Sequence, residues 1–238
     1  MVVEVSVTQF ELKRMNINWM ILLLILASFR VASQQSIGFE SVFGSDKILL
    51  NHRVQLSDSS WMRFSVLRFY VSHFKVFSKG NVWENPKSVQ LIDVFDLNKN
   101  FIDIPYSAFD SIQFNLGTDS VSNVSQEYEG DLDPVNGMYW AWNTGYINFK
   151  LEGNSSNSTS EDGSFEFHLG GYLTPYQSMQ HIELNANNTG LNTIQFDVQL
   201  FLKQINLQQV HHVLQPGVEA IQLAKILPYS FKLIRDEK

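Results

Sequence analysis

Six histidines, His52, His73, His168, His181, His211 and His212, are the side chains of this 238-residue sequence best suited to hold or move something at neutral pH. There is no cysteine, which removes thiolate metal sites, disulfides and a lipid-bearing cysteine behind an export signal. Any metal must rest on imidazole nitrogen and carboxylate oxygen, a donor set that suits copper or zinc. The histidines do not fall at the i, i+2 or i, i+4 spacing of a local chelate, and the adjacent pair His211-His212 would diverge on a strand. A metal site would therefore have to be assembled by the fold. His168 lies in FEFHLGGY, where alternation sends Phe165, Phe167 and Leu169 to one face and Glu166 and His168 to the other. His73 belongs to the alternating run Met62 to Val76.

Other chemistries have less support. No GxSxG, HExxH, Walker A or GxGxxG pattern occurs, so nothing marks a nucleophile elbow, a zincin or a phosphate cradle, and the chain is expected not to be an enzyme. Asp131, Asp133, Asn136 and Gly137 resemble a calcium loop, but the glycine falls one position late and Trp142 stands where the bidentate glutamate belongs. A tight turn before Pro134 is the better reading.

Aromatic residues are concentrated in GDLDPVNGMYWAWNTGYINFKLEG, Gly130 to Gly153. Alternation puts Met138, Trp140 and Trp142 on one face of an extended segment and Tyr139, Ala141 and Asn143 on the other, which would bring the two indoles close. Asn143, Thr144 and Gly145 supply turn chemistry before a second run, Tyr146 to Leu151, so the block reads as a hairpin.

The elements around these residues read as all-β, an antiparallel sandwich or barrel with one short C-terminal helix. Strands are expected at Met62 to Val76, Val89 to Phe95, Ser111 to Leu116, Phe165 to Leu169, His181 to Leu184 and Thr193 to Leu207. Val218 to Leu227 fits a helix ended by Pro228, and Phe231 to Ile234 an edge strand. The stretch Asn154 to Gly163, without apolar residues, reads as an exposed hairpin loop.

Lys13 and Arg14 precede an apolar run from Trp19 to Ala27, too short to span a bilayer comfortably, and Val31-Ala32-Ser33 follows. Residues 1–33 thus read as a signal peptide cleaved near Ser33, with residues 34–238 as one domain in the periplasm, at the cell envelope or secreted. Cleavage removes three basic and two acidic residues from a chain of net charge −7, leaving about −8. Such a surface repels nucleic acid and anionic lipid.

In order along the chain, RFYVSHFKV, QLIDVF, IQFNLGTDS, the GMYWAWNTGY block, FHLGGY and VLQPGVEAIQLAK resemble the MbnP-like family of exported proteins, and the wording around Tyr70-Val71-Ser72 is similar to its Bacteroidota branch. The resemblance implies a β-rich exported domain that binds a single copper ion through histidine and a kynurenine. The kynurenine is made from a tryptophan by a partner di-haem peroxidase of the MauG type. Trp142 is the first candidate for that conversion and Trp140 the second, with His168 and His73 as the histidines whose surroundings match best. The residues themselves leave two readings open. Trp140 and Trp142 either plug the core of a β module that binds an envelope partner or glycan without metal, or one of them is the precursor of a copper ligand.

Overall fold

The computed structural model describes residues 35–125, 128–142, 145–186 and 190–235. The expected signal peptide, residues 1–33, lies outside the described residues. The chain runs through β1 (Gln35–Phe43), β2 (Asp46–Lys47), β3 (Arg53–Ser57), β4 (Ser60–Ser78), β5 (Asn81–Glu84), β6 (Val89–Asp93), β7 (Phe101–Ile104) and β8 (Ser111–Leu116) to a short helix, α1 (Ser120–Ser125). It continues through β9 (Tyr139–Trp140), β10 (Gly145–Ser155), β11 (Ser164–Gly170), β12 (Gln180–Asn185) and β13 (Thr193–Asp197), then α2 (Val198–Leu202), β14 (His212–Val213), α3 (Val218–Ile226) and β15 (Phe231–Ile234).

These strands form two sheets. The smaller runs β15-β13-β1-β2, with β7 also paired to β1; the larger runs β12-β8-β4-β10-β11-β14, with β3, β5 and β6 along β4 and β9 on β10. Phenylalanines from both sheets interlock between them: Phe39 meets Phe69 at 5.8 Å, Phe149 meets Phe196 at 5.4 Å, and Phe231 meets Phe69 at 5.7 Å and Phe114 at 6.1 Å between ring centroids. Alternation explains the layer, because Leu67, Phe69 and Val71 of β4 and Phe165, Phe167 and Leu169 of β11 all turn to this side and are buried. Each fully buried ring contributes about 2–3 kcal/mol of transfer free energy.

The all-β class holds, as a sandwich, with three departures from expectation. Two pairings, β1 with β13 and β11 with β14, are parallel. The run Thr193 to Leu207 does not stay extended, since the Asp197 carboxylate accepts from the N–H groups of Gln199 and Leu200 and starts α2. The C-terminal helix α3 is joined by α1 and α2, so it is not alone.

Residues 130–140 roof the opposite, outer face of the larger sheet. Beneath them Tyr70, Val89, Leu91, Met138, Trp140, Tyr146 and Ile147 form a second, smaller core. Four side chains of the sheet hold the roof by its carbonyls: Tyr70 donates to Asp131, Tyr146 to Leu132, Arg68 to Asn136 and Lys150 to Gly137, at 3.0–3.1 Å. Asp133 caps the turn by accepting from the Val135 N–H, and Asp131 pairs with Lys87 at 3.3 Å, which are turn and roof contacts.

Candidate functional site

The hairpin expected in the aromatic block is present, with Trp140 opposite Gly145 and Tyr139 opposite Tyr146. The strand ends at Trp140, however, and Trp142 lies in the turn beyond it. Met138 and Trp140 are buried in the smaller core while Trp142 is 65 % exposed, so the three do not share one buried face. The two indoles still meet, at 6.0 Å between centroids and 50° between planes.

Trp140 owes its position to a missing side chain. A Cβ on Gly170 would lie 2.5 Å from the Tyr146 carbonyl oxygen and 2.6 Å from the Trp140 ring, so glycine there opens the seat for the indole. On the other flank a buried polar chain fixes the start of β10. Thr118 donates to Asn148 through N–H and hydroxyl, Asn148 donates to Ser178 and Asn123 to Thr118, and the Tyr146 N–H donates to Asn123, at 2.9–3.1 Å. The first residues of β10 are thus anchored by mutually satisfied buried polar groups.

Trp142 borders an open cavity of about 490 Å³ that it shares with His212, Leu214, Gln215, Pro216, Val218 and Glu219. His212 reaches this end of the sheet because β14 pairs in parallel with β11, Glu166 opposite His212. Its Nε2 lies 3.0 Å from the Ser164 hydroxyl, its ring meets His211 at 4.7 Å, and the buried Nδ1 of His211 has no hydrogen-bond partner. Local spacing does not single out this pair, because adjacent side chains diverge on a strand. The one signal available was their adjacency, and the long-range parallel pairing that brings His212 to Trp142 leaves no local pattern.

His168 occupies the same outer face of β11 as Gly170, two residues away and about 7 Å along the backbone, which makes it a neighbour of the Trp140 seat. Its Nε2 donates to Glu152 at 2.7 Å, and Lys150 reaches the same oxygen at 3.1 Å. The His168 bond and the lysine hold the Glu152 carboxyl down to about 2, against the opposing effect of burial. Arg68 and Lys150, opposite each other on β4 and β10, are kept from repelling by Asp93 at 2.6 Å and Glu152.

His73 does not join this group. From the row that links His168, Lys150 and Arg68 it is two strands across and five residues further along β4, on the order of 15–20 Å from His168. It sits at a bulge with φ 49°, its ring nitrogens 3.3 Å from Glu84 and 3.5 Å from Asp119. The structure therefore brings Trp140 and Trp142 together, seats His168 beside Trp140, adds His212 beside Trp142, and leaves His73 apart. Among the described residues no group of three or more His, Asp or Glu is assembled that could hold a metal ion.

Among the described residues no helix is long and apolar enough to cross a membrane. No curated protein matches the sequence. In fold the chain is similar to MbnP from Methylosinus trichosporium, with a TM-score of 0.56 and 13 % identity over 72 % of this chain and 78 % of that one. The MbnP family model matches residues 32–219, the stretch that carries both sheets' central strands, the roofed aromatic block and the Trp142 cavity, and the chain belongs to the MbnP family.

Proposed function

We propose that this is a non-catalytic, exported protein that binds one copper ion beside Trp142 once that indole has been opened to kynurenine. The observation that carries the reading is the placement of Trp142, exposed to an external oxidant, tilted against Trp140, and sharing a cavity with His212. An intact indole has only an N–H donor and no lone pair for a metal. Two equivalents of hydrogen peroxide would add two oxygen atoms across the C2–C3 bond and cleave it to N-formylkynurenine, with two waters as by-product; hydrolysis of the formyl group then releases C2 as formate and leaves a carbonyl and an aromatic amine, the latter a nitrogen donor. That addition matters here because, among the described residues, the unmodified histidines and carboxylates do not gather three donors. His212 is the imidazole that lines the same cavity as Trp142, and His168 is held by Glu152 next to the Trp140 seat. Copper supplies only affinity and redox activity when bound. The modifying partner is a di-haem peroxidase of the MauG type, and the periplasm or cell envelope is where the two would meet.

The test is to treat the purified chain with such a peroxidase and hydrogen peroxide, map the modified residue by peptide mass spectrometry, and titrate with copper. One copper per chain is expected after modification, none at the same affinity before it, and loss of binding in Trp142→Phe and His212→Asn. A modified chain that binds no copper ends this reading. A second reading, an interaction module, is favoured by the exposed apolar rim of Leu214, Val218 and Trp142 around the cavity. Oxidation falling elsewhere, with Trp142→Phe weakening capture of a purified envelope partner, would support it instead.

A further inference from the structure

The two fully buried tyrosines, Tyr70 and Tyr146, are both in the smaller core, whereas the fully buried rings between the sheets are phenylalanines. Six oxidisable rings lie close together on this side of the sheet. Trp142 meets Trp140 at 6.0 Å, Trp140 shares the small core with Tyr146, and Tyr146 meets Tyr139 at 5.1 Å and Tyr70 at 5.6 Å. Tyr139 in turn meets Tyr128 at 5.2 Å, and their hydroxyl oxygens are 2.9 Å apart. The series begins at an exposed indole and ends at a phenol pair of which Tyr128 is 37 % exposed.

We propose that this series is a radical relay that drains a hole from Trp142 to the Tyr128–Tyr139 hydroxyl pair. The direction follows from protons. A phenol gives up an electron readily only if its proton can leave at the same time. The hydroxyls of Tyr70 and Tyr146 are buried and donate to the backbone carbonyls of Asp131 and Leu132, which are very weak bases. In the outer pair one hydroxyl faces another, and the pair reaches solvent. A high-potential one-electron oxidant takes an electron from Trp142; an electron from the Tyr139 ring restores the indole through Trp140. The Tyr139 hydroxyl proton passes to the Tyr128 oxygen while a Tyr128 proton leaves to water. A neutral tyrosyl radical remains on Tyr139.

This role is separate from copper binding, since none of the tyrosines is placed as a ligand and no metal is needed. It would protect Trp142 from oxidation by a stray single-electron oxidant, reserving it for an enzyme that delivers oxidation in a controlled way.

The experiment uses the purified, metal-free chain and tris(bipyridine)ruthenium(III) generated by flash photolysis, with transient absorption and freeze-quenched electron paramagnetic resonance as readouts. An indole radical that decays as a tyrosyl signal grows is expected. In the doubly substituted Tyr128→Phe/Tyr139→Phe chain the indole radical should persist about tenfold longer and the tyrosyl signal should be lost. Tyr146→Phe keeps the intervening ring and should leave the tyrosyl signal in place. An unchanged tyrosyl signal in the double variant, or an indole radical alone in the unsubstituted chain, overturns the relay. Neither outcome bears on the copper reading, because no copper or peroxidase is present.

Discussion

The two cores of this protein are built from different rings. Between the sheets the large buried residues are phenylalanines, which carry no polar atom and meet both edge to face and stacked, whereas under the roof of residues 130–140 they are a tryptophan and two tyrosines, the tyrosine hydroxyls tied to backbone carbonyls. The first arrangement maximises area removed from water; the second gives up some of that area to hold a loop in register and to keep oxidisable groups together. The lesson is that aromatic density has two uses, and the polar handle distinguishes them.

The comparison is broken most severely by Phe149→Ala. This ring is fully buried against Phe69, Phe196 and Phe201, and its loss is expected to cost about 3–5 kcal/mol in urea denaturation. Gly170→Ala comes next. The new methyl group would press on a backbone carbonyl and the Trp140 ring, so about 1–3 kcal/mol is expected, together with a changed near-ultraviolet dichroism from the displaced indole.

Acid sharpens the contrast further, because the outer face carries ion pairs and the inter-sheet core does not. Glu152 is depressed from its ordinary 4.5 to about 2, so its stabilising contribution is present above 4.5 and is lost as the pH falls through that window towards about 2. The loss should be about 1 kcal/mol once the solvent reaching the pair is discounted, and Glu152→Gln should flatten it in acid-titrated denaturation curves. The smallest effect belongs to Trp142→Phe. With its side chain mostly in solvent it should shift stability by no more than about 0.5 kcal/mol, while removing the proposed site of modification. A large loss of stability there would mean that Trp142 is a packing residue after all.

Much of this scaffold is legible from alternation alone. Ser111 to Leu116 and Phe231 to Ile234 have the bounds read from the sequence, and Phe165 to Leu169 and His181 to Leu184 differ only by a residue at each end. Periodicity fails where a side chain overrides it: Val198–Leu202 continues an apolar run but is turned into helix by the Asp197 cap. The candidate site is less legible. Trp142 leaves the strand that alternation continued through it, His73 sits at a bulge on another part of β4, and His212 arrives by pairing with a strand more than forty residues earlier. Contacts of that range have no signature in a local window.

The parallel pairing of β1 with β13 also bears on how the molecule is made. Glu40 of β1 accepts from Gln195 of β13 across 155 residues of chain, and the central strand of the smaller sheet cannot be completed until nearly the whole sequence is available. Closing so long a loop makes folding slow. Strand β1 can pair early with β2 and β7, but its other edge stays open until residues 193–197 have been synthesised, so the smaller sheet remains incomplete through most of the synthesis of the chain.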